Sequence, residues 1–165
     1  MFRAADQESI GQRIRDSLHQ IVALQDSAGH RHSVERFVLD YGKDFVGIAP
    51  KRRYLPWLQQ PNACFTNCIQ LAFIERRRYV EGFAVLSDGF EFHHAWCLDD
   101  GDRVLDPTWA EPGLAYFGVP FAASYAQSRY DAQARFGETG SLLLVGDDGF
   151  ALLRGTEPRP WQAAS

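Results

Sequence analysis

Three short strings of the sequence bring together the residue types that nucleophilic catalysis by a thiol requires. They are Asn62-Ala63-Cys64, His93-His94-Ala95-Trp96 and Asp106-Pro107-Thr108. A cysteine in the first turn of a helix faces unpaired backbone N–H groups and the positive end of the helix dipole, and both favour the reactive thiolate. A neighbouring imidazole exchanges the proton, and a carboxylate on its other nitrogen fixes its tautomer and orientation. The strings therefore predict a nucleophilic site made of Cys64, His94 and Asp106.

The spacing of His94 and Asp106 favours facing positions on two strands of a hairpin. They lie twelve residues apart, with Asp100-Gly101 midway between them, and Asp-Gly between apolar runs is a strong hairpin signal. If strands 90–98 and 103–107 pair across this turn, residues whose numbers sum to about 200 or 201 face each other. We therefore expect His94 within hydrogen-bonding reach of Asp106.

The periodicity of apolar residues predicts the helices that position these strings. The predicted helices are Asp6–Asp26, Ser33–Asp40, Cys64–Arg78 and Ala122–Phe136. We expect Asp6 and Ser33 to cap the first two, Gly29 to close the first, and Asn62 or Thr66 to cap the third. The third helix is apolar over more than half of its circumference, which indicates a central, largely buried helix. The stretch 42–63 before it contains three prolines and is predicted to be irregular.

After the third helix the apolar pattern changes to the alternation typical of strands. The predicted strands are Tyr79–Val85, Phe90–Leu98, Arg103–Asp106 and a last hairpin of Ser141–Val145 with Phe150–Leu153. Helices followed by antiparallel hairpins indicate an α+β fold, with N-terminal helices and a central nucleophile helix packed on an antiparallel sheet. The length predicts a single domain over 1–165, with a loose tail at 155–165.

The order of the three strings resembles the transglutaminase-like core of the papain-like cysteine enzymes. The similarity covers about Cys64 to Trp109, including the strand at 79–83 that follows the nucleophile helix. It implies a papain-like, transglutaminase-like architecture with Cys64, His94 and Asp106 as the catalytic triad. It also implies acyl transfer through a thioester, as a peptidase, amidase, deamidase or transglutaminase, with a protein, peptide or amide as substrate.

Two departures from that family narrow the expected activity. Transglutaminases usually carry a tryptophan directly after the nucleophile, where this chain has Phe65, and the chain is shorter than a full transglutaminase. The small size favours hydrolysis of a peptide or amide over protein crosslinking by an amine acceptor. An arylamine acetyltransferase relative shares the triad but typically needs a longer chain. The rival from another class is a non-catalytic binding or inhibitory module on the same fold, with the 42–63 stretch as its contact surface.

Further residues are candidates for binding the substrate or the oxyanion of a tetrahedral intermediate. The backbone N–H groups at the helix start suit the oxyanion, and Gln60 or Asn62 is a candidate to add a side-chain amide. Trp96 lies on the same strand face as His94, where it is a candidate for substrate contact or for screening the imidazole from water. Glu81, inside the first strand, is a candidate for substrate binding or for pairing with an arginine.

Alternatives for the thiol chemistry remain open at this point. Cys68 lies four residues after Cys64 on the same helix face and is read as a core residue, with nucleophile or redox partner as alternatives. Cys97 is read as a core residue, and His93 points to the strand face opposite His94, although a bulge would exchange the roles of the two histidines. A zinc site is disfavoured because a fourth ligand is not evident. No metal or organic cofactor is expected.

Composition limits the broad class of the protein. The 165 residues carry 17 Lys+Arg against 21 Asp+Glu, a formal charge of −4, and 45% hydrophobic residues. The chain can therefore bury a proper core, and its mild acidity gives no reason to expect nucleic acid as a partner. We see no apolar run long enough to cross a bilayer, no secretory signal, and no indication of oligomeric state. Three cysteines do not make a disulfide framework, so we expect a reducing compartment, the cytoplasm.

Overall fold

The computed structural model describes residues 4–50, 52–134, 140–143 and 152–154 of the chain. Within these ranges the chain forms four α-helices and a curled antiparallel sheet of five strands, which confirms the α+β class. The helices are α1 (Ala4–Ser27), α2 (Val34–Tyr41), α3 (Cys64–Glu75) and α4 (Ala123–Ala134). The strands are β1 (Lys43–Phe45), β2 (Arg78–Val85), β3 (Glu91–Leu98), β4 (Val104–Leu105) and β5 (Ala115–Phe121).

The long N-terminal helix α1 forms where the apolar periodicity predicts it. Its stripe buries Ile14 and Leu18 completely, because residues four apart share one face of a helix. The predicted start is wrong, since α1 already includes Ala4 and Asp6 lies inside the helix rather than at its cap. Gly29 follows the helix with φ +83°, a conformation that glycine adopts without strain, and it closes the segment as predicted.

The predicted caps are correct for α2 and wrong for α3. The Ser33 hydroxyl accepts a hydrogen bond from the Arg36 N–H at the start of α2. At α3 the capping position is Ala63, which has no side-chain hydrogen bond to offer. Asn62 lies one residue earlier in a left-handed turn with φ +58°. The backbone N–H groups that begin α3 are therefore not held by a capping side chain.

The nucleophile helix α3 ends earlier than the sequence predicts. Arg76 adopts the left-handed conformation, with φ +53°, and stops the helix, while Arg78 already opens β2. Arg77 forms an ion pair with Asp100, and Arg78 forms one with Asp102. These arginines therefore pair with carboxylates of the β3–β4 turn instead of extending the helix. α3 is also less buried than predicted, because Phe73 and Ile74 near its end are more than half exposed.

The sheet has the strand order β1-β5-β2-β3-β4, and neighbouring strands are antiparallel. Both Asp-Gly turns join consecutive strands, as predicted. In the β3–β4 hairpin Cys97 faces Leu105 and Leu98 faces Val104, so facing numbers sum to 202 rather than 200 or 201. The turn is longer than a two-residue turn, since the Asp99 N–H donates to Arg103 O and Asp102 takes a left-handed conformation.

Strands β5 and β1 are absent from the sequence-based prediction. β5 is an interior strand of the sheet, between β1 and β2, but Gly118 and Pro120 interrupt its apolar run and weaken the strand signal. Gly118 lies opposite Gly82 of β2, and a Cβ at Gly82 would collide with the backbone of Phe117. Two facing glycines therefore allow a close approach at the sheet centre, and β1 forms inside the stretch predicted to be irregular.

The sheet is covered on both faces. The larger cluster packs the helices against the face that carries Ala95 and Cys97. The smaller cluster covers the opposite face with loops, and its members are Phe45, Val80, Ala84, Trp96, Leu98, Val104 and Tyr116. Because side chains alternate along β3, His94 shares this second face with Trp96. The side chain of His94, the predicted catalytic histidine, therefore lies on the loop-covered face of the sheet.

The C-terminal part of the chain is only partly described. Helix α4 confirms the helix predicted at Ala122–Phe136 over its described residues. Residues 140–143 and 152–154 form bends and turns rather than the predicted strands, and the rest of that hairpin, with the 155–165 tail, lies outside the described residues. In the described part of the chain, no helix has both the length and the apolarity that crossing a membrane requires.

Candidate active site

Cys64 is the first residue of α3 and lines an open groove. Its side chain is partly exposed, whereas the chain's other two cysteines are buried. Because no side chain caps this end of α3, Cys64 lies beside backbone N–H groups and the positive end of the helix dipole. This environment suits a sulfur that carries negative charge.

His94 on β3 connects Cys64 to Asp106, the residue that follows β4. Its Nε2 lies 2.8 Å from Asp106 Oδ2, and both side chains are almost completely buried. This confirms the hydrogen bond that the hairpin spacing predicts. His94 and Cys64 line the same groove, and since Nε2 is directed at the carboxylate, Nδ1 is the ring nitrogen left for the thiol. The thiol thus lies in the groove beside a hydrogen-bonded imidazole–carboxylate pair.

The Asp106 carboxylate is held in place by its own loop. Oδ1 accepts from the backbone N–H groups of Thr108 and Trp109, at 2.9 and 3.1 Å. Oδ2 accepts from the Tyr116 hydroxyl at 3.2 Å, in addition to His94. Burial raises the pKa of Tyr116 well above its usual value, so this hydroxyl keeps its proton and remains a donor. Four donors fix the carboxylate as an oriented acceptor for the imidazole.

The His94 ring is fixed by aromatic contacts as well. The Trp109 ring stacks on it with 3.8 Å between centroids and 11° between planes. Trp96 lies on its other side, with 6.4 Å between the centroids. Stacking of this kind restrains the ring torsion and excludes water from the imidazole. The ring is thereby held in one orientation between sulfur and carboxylate.

Charge in the site is set by the surroundings of His94. Burial lowers the pKa of the ring, but the hydrogen bond to Asp106 and the nearby Cys64 sulfur raise it more, and the resulting pKa is about 9 against an ordinary 6.5. His94 is therefore an imidazolium at neutral pH.

A pKa raised in the folded state makes stability depend on pH in a defined direction. His94 contributes its full stabilisation below pH 6.5 and loses it as the pH rises through about 9. We expect the free energy of unfolding, measured with urea under reducing conditions, to fall across this window. A His94→Gln variant should fall less, so the difference between the two proteins should be larger at the acidic end. Parallel curves for wild type and variant would contradict the assigned charge state.

The groove that holds Cys64 has a volume of about 500 Å³ and is open to solvent. Its walls combine the nucleophile and both histidines with apolar side chains. The apolar members are Pro61, Phe65, Leu86, Phe92 and Trp109. A groove of this size accommodates several residues of an extended chain or a small amide.

Asn67 is a site residue that the sequence analysis missed. It is completely buried one helical turn after Cys64. Its amide nitrogen donates to Gln60 O at 2.8 Å and to Thr108 Oγ1 at 3.0 Å. It therefore ties the chain entering α3 to the Asp106 loop. Its sequence signal is weak, because α3 contains other polar residues such as Thr66 and Gln70, and its partner Thr108 lies 41 residues later in the chain.

The three residues predicted to contact the oxyanion or the substrate differ in their position relative to the groove. Asn62 lines the groove next to Cys64. The Gln60 side chain is exposed, its amide donates to Pro56 O at 3.4 Å, and the residue is not part of the groove wall. Trp96 has no exposed surface, so it does not touch a bound substrate and instead packs beside the imidazole. Of the three, only Asn62 lies where a side-chain amide can reach a groove ligand.

The two remaining thiols have structural positions. Cys68 Sγ donates to Ala95 O at 3.1 Å, and Cys97 Sγ donates to Cys68 O at 3.1 Å. Burial raises the pKa of Cys68 well above its usual value, which keeps it a neutral thiol of low reactivity. Both cysteines are core residues, in agreement with the sequence-based interpretation, and Cys64 is the thiol that faces the groove.

His93 lies on the strand face opposite His94, as the alternation predicts. Its ring packs between Phe65 and Phe83, with centroid distances of 5.1 and 5.4 Å. Its Nε2 lies 3.0 Å from the buried carboxylate of Glu81, without the alignment of a hydrogen bond. Glu81 has no exposed surface, does not line the groove and bonds Tyr79. The predicted substrate contact or arginine partner for Glu81 is therefore wrong.

Among the described residues, no group of three or more His, Cys, Asp or Glu side chains is arranged to hold a metal ion. Family models, curated proteins and solved structures give no match to the chain.

Proposed function

We propose that the protein transfers the acyl group of an amide or peptide bond through a thioester on Cys64. The observation that supports this is the hydrogen-bonded pair of His94 and Asp106 beside Cys64 at the wall of an open groove. The three residue types are those that thiol catalysis needs, and the helix start adds backbone donors for an oxyanion. Cys64 lies thirty residues before His94 in the sequence, so its position beside the His94–Asp106 pair is not a local effect of spacing.

The proposed reaction has two halves, formation of the thioester and its hydrolysis. Cys64, His94 and Asp106 take part in both. The Cys64 sulfur forms a bond to the carbonyl carbon, and the carbonyl oxygen takes the negative charge beside the backbone N–H groups of α3. His94 then gives its proton to the leaving nitrogen as the C–N bond breaks, which leaves a thioester. Water attacks the thioester, His94 accepts the proton of the water, and the carboxylic acid leaves as the C–S bond breaks. Asp106 orients the ring throughout.

The architecture supports the finer assignment to a papain-like, transglutaminase-like fold. The cysteine begins a helix that packs against the strand carrying the histidine, and the aspartate follows the next strand. We propose hydrolysis, with water as the acyl acceptor, rather than crosslinking. We assign a peptide or amide substrate in the cytoplasm, where the three cysteines remain free thiols, as they are here.

The open groove favours an enzyme over the non-catalytic module on the same fold. A module that had lost the chemistry has no need for an accessible thiol, and a filled groove would fit it better. Here the sulfur is partly exposed in a space of about 500 Å³. The 42–63 stretch also contributes to the sheet through β1 and to the α3 entry, so it is partly committed to the fold.

The first test measures the reactivity of the thiol. We expect iodoacetamide at neutral pH to modify the native protein once, at Cys64, faster than it modifies free cysteine, as read by intact mass and peptide mapping. Buried Cys68 and Cys97 should react only after unfolding. A Cys64→Ser variant is the control and should remain unmodified when native. Cleavage of a panel of peptidyl and simple amides should depend on the same residue. Labelling of Cys64 no faster than free cysteine would overturn the proposed function.

A further inference from the structure

Strand β3 has an edge without a strand partner beside the nucleophile. β2 pairs with β3 along its whole length, whereas β4 pairs only with Cys97 and Leu98. Among the described residues, the stretch 91–96 of β3 therefore has no strand on its outer side. The groove follows this stretch, because Phe92, His93 and His94 all line its wall. The edge and the thiol thus border the same space.

The hydrogen-bond pattern shows which residues of β3 direct backbone groups outward. Leu86 N donates to Phe90 O at 3.0 Å, so this pair bonds across the β2–β3 hairpin. Bonding pairs alternate along an antiparallel ladder, so the even-numbered residues of β3 bond to β2. The odd-numbered residues direct their N–H and C=O groups away from it. On the outer side, the Asp99 N–H donates to Arg103 O at 3.0 Å, so an odd-numbered residue bonds outward there, in agreement with this phase.

Only part of this outward series remains accessible from the groove. The carbonyl of Ala95 accepts from Cys68 Sγ, so α3 covers the edge there. His93 lines the groove and Glu91 is half-buried two residues before it. His93 and Glu91 therefore present two donors and two acceptors with the spacing of a β-strand. An extended peptide has the matching set on every second residue.

We propose, on the basis of the proposed function, that the substrate is an extended peptide that adds to the edge of β3 as a further strand. One peptide residue exchanges two backbone hydrogen bonds with His93, and the residue two positions away bonds to Glu91. In this arrangement the scissile carbonyl lies at Cys64, which borders the same groove, and a peptide binds in preference to a simple amide. The affinity comes from the backbone, so the sequence preference is set by the walls.

The walls favour apolar substrate side chains on one face. Phe92 is 45% exposed and lies on the same strand face as His94. Trp109 meets it edge-on, with 6.4 Å between the ring centroids. A peptide paired with β3 directs alternate side chains to this face. Large apolar residues at alternate positions therefore fit the Phe92–Trp109 wall.

The test is a backbone N-methyl scan of a covalent peptide probe. A tetrapeptidyl chloromethyl ketone with apolar side chains alkylates Cys64, and the second-order rate constant is divided by that of iodoacetamide, which has no peptide backbone. We expect the parent peptide to exceed its single-residue homologue at least tenfold in this ratio. N-methylation should remove most of that gain at alternate positions only, since every second N–H is directed at β3. A uniform effect, or none, would overturn the proposal.

The two rate constants, for the peptide probe and for iodoacetamide, also distinguish a failure of edge pairing from a failure of the proposed function. Fast iodoacetamide labelling without an alternating N-methyl pattern would leave the activated thiol in place and exclude edge pairing. Slow labelling would exclude both. On the protein side, Glu91→Pro removes one outward N–H without breaking the ladder to β2, and the ratio should fall for the parent peptide. If this variant does not fold, the N-methyl scan on the wild-type protein decides alone.

Discussion

Replacement of His94 by glutamine is expected to return Cys64 to the reactivity of an ordinary thiol. In the proposed function, the His94 imidazolium between Asp106 and the Cys64 sulfur is the group that stabilises the thiolate. A free thiol is only a few per cent ionised at neutral pH, so the rate of iodoacetamide labelling should fall about thirtyfold. Turnover of an amide also loses its proton donor and should fall by roughly 10³-fold. Labelling is followed by intact mass at pH 7.

The matched control is the neighbouring histidine. His93→Gln changes the same residue type one position earlier, on the opposite strand face, where the ring contacts Phe65 and Phe83. The rate of iodoacetamide labelling should change by no more than about twofold, since His93 has no hydrogen bond to the Cys64 sulfur and so does not affect the charge on that sulfur. Equal losses in both variants would contradict the assignment of His94. A loss confined to His93→Gln would reverse it.

More of the candidate site than of the fold could be predicted from the sequence. Two local signals were enough for this. The position of Cys64 at a helix start places the thiol at the beginning of α3. The Asp100-Gly101 turn between His94 and Asp106 places β3 beside β4. The predicted register was wrong by one or two residues, but a hydrogen bond between side chains tolerates such a shift because the carboxylate reaches diagonally. The prediction of the pair therefore did not depend on the exact register.

The parts that could not be predicted depend on contacts distant in sequence. β5 contains Gly118 and Pro120, which argue against a central strand until Gly82 is seen opposite Gly118. Asn67 reads as an ordinary helical residue until Gln60 and Thr108 are brought to it by the fold. In both cases a weak local preference is overruled by tertiary pairing. The same holds for Glu81, whose partners lie about sixty residues later in the chain.

Glu81 joins the sheet to the described part of the C-terminal segment. Its carboxylate accepts from the Tyr79 hydroxyl at 2.9 Å, from the Leu142 N–H at 2.8 Å and from the Leu143 N–H at 3.3 Å. The Ser141 hydroxyl donates to it as well. The group has no exposed surface, so these donors replace the water that a carboxylate otherwise requires.

Glu81→Gln replaces one carboxylate oxygen by an amide NH₂ group of nearly the same size. Among substitutions of this kind, we expect it to cause the largest loss of stability. The amide presents an N–H₂ group where the carboxylate oxygen accepted, so buried donors face a donor and lose their partner. We expect the free energy of unfolding to fall by about 3 kcal/mol, as for the loss of one member of a buried charged network. Urea denaturation monitored by tryptophan fluorescence measures this change.

Glu75→Gln is the matched control, because Glu75 pairs with Arg52 at the partly exposed end of α3. An exposed ion pair contributes little, so this variant should lose less than about 1 kcal/mol. Amide hydrogen exchange adds a local readout: protection of Leu142 and Leu143 should drop in Glu81→Gln and persist in Glu75→Gln. Equal losses in the two variants, or unchanged protection of both leucines, would show that the C-terminal segment is held by other contacts. The difference between the variants thus measures what a buried carboxylate with several donors contributes beyond an ordinary ion pair.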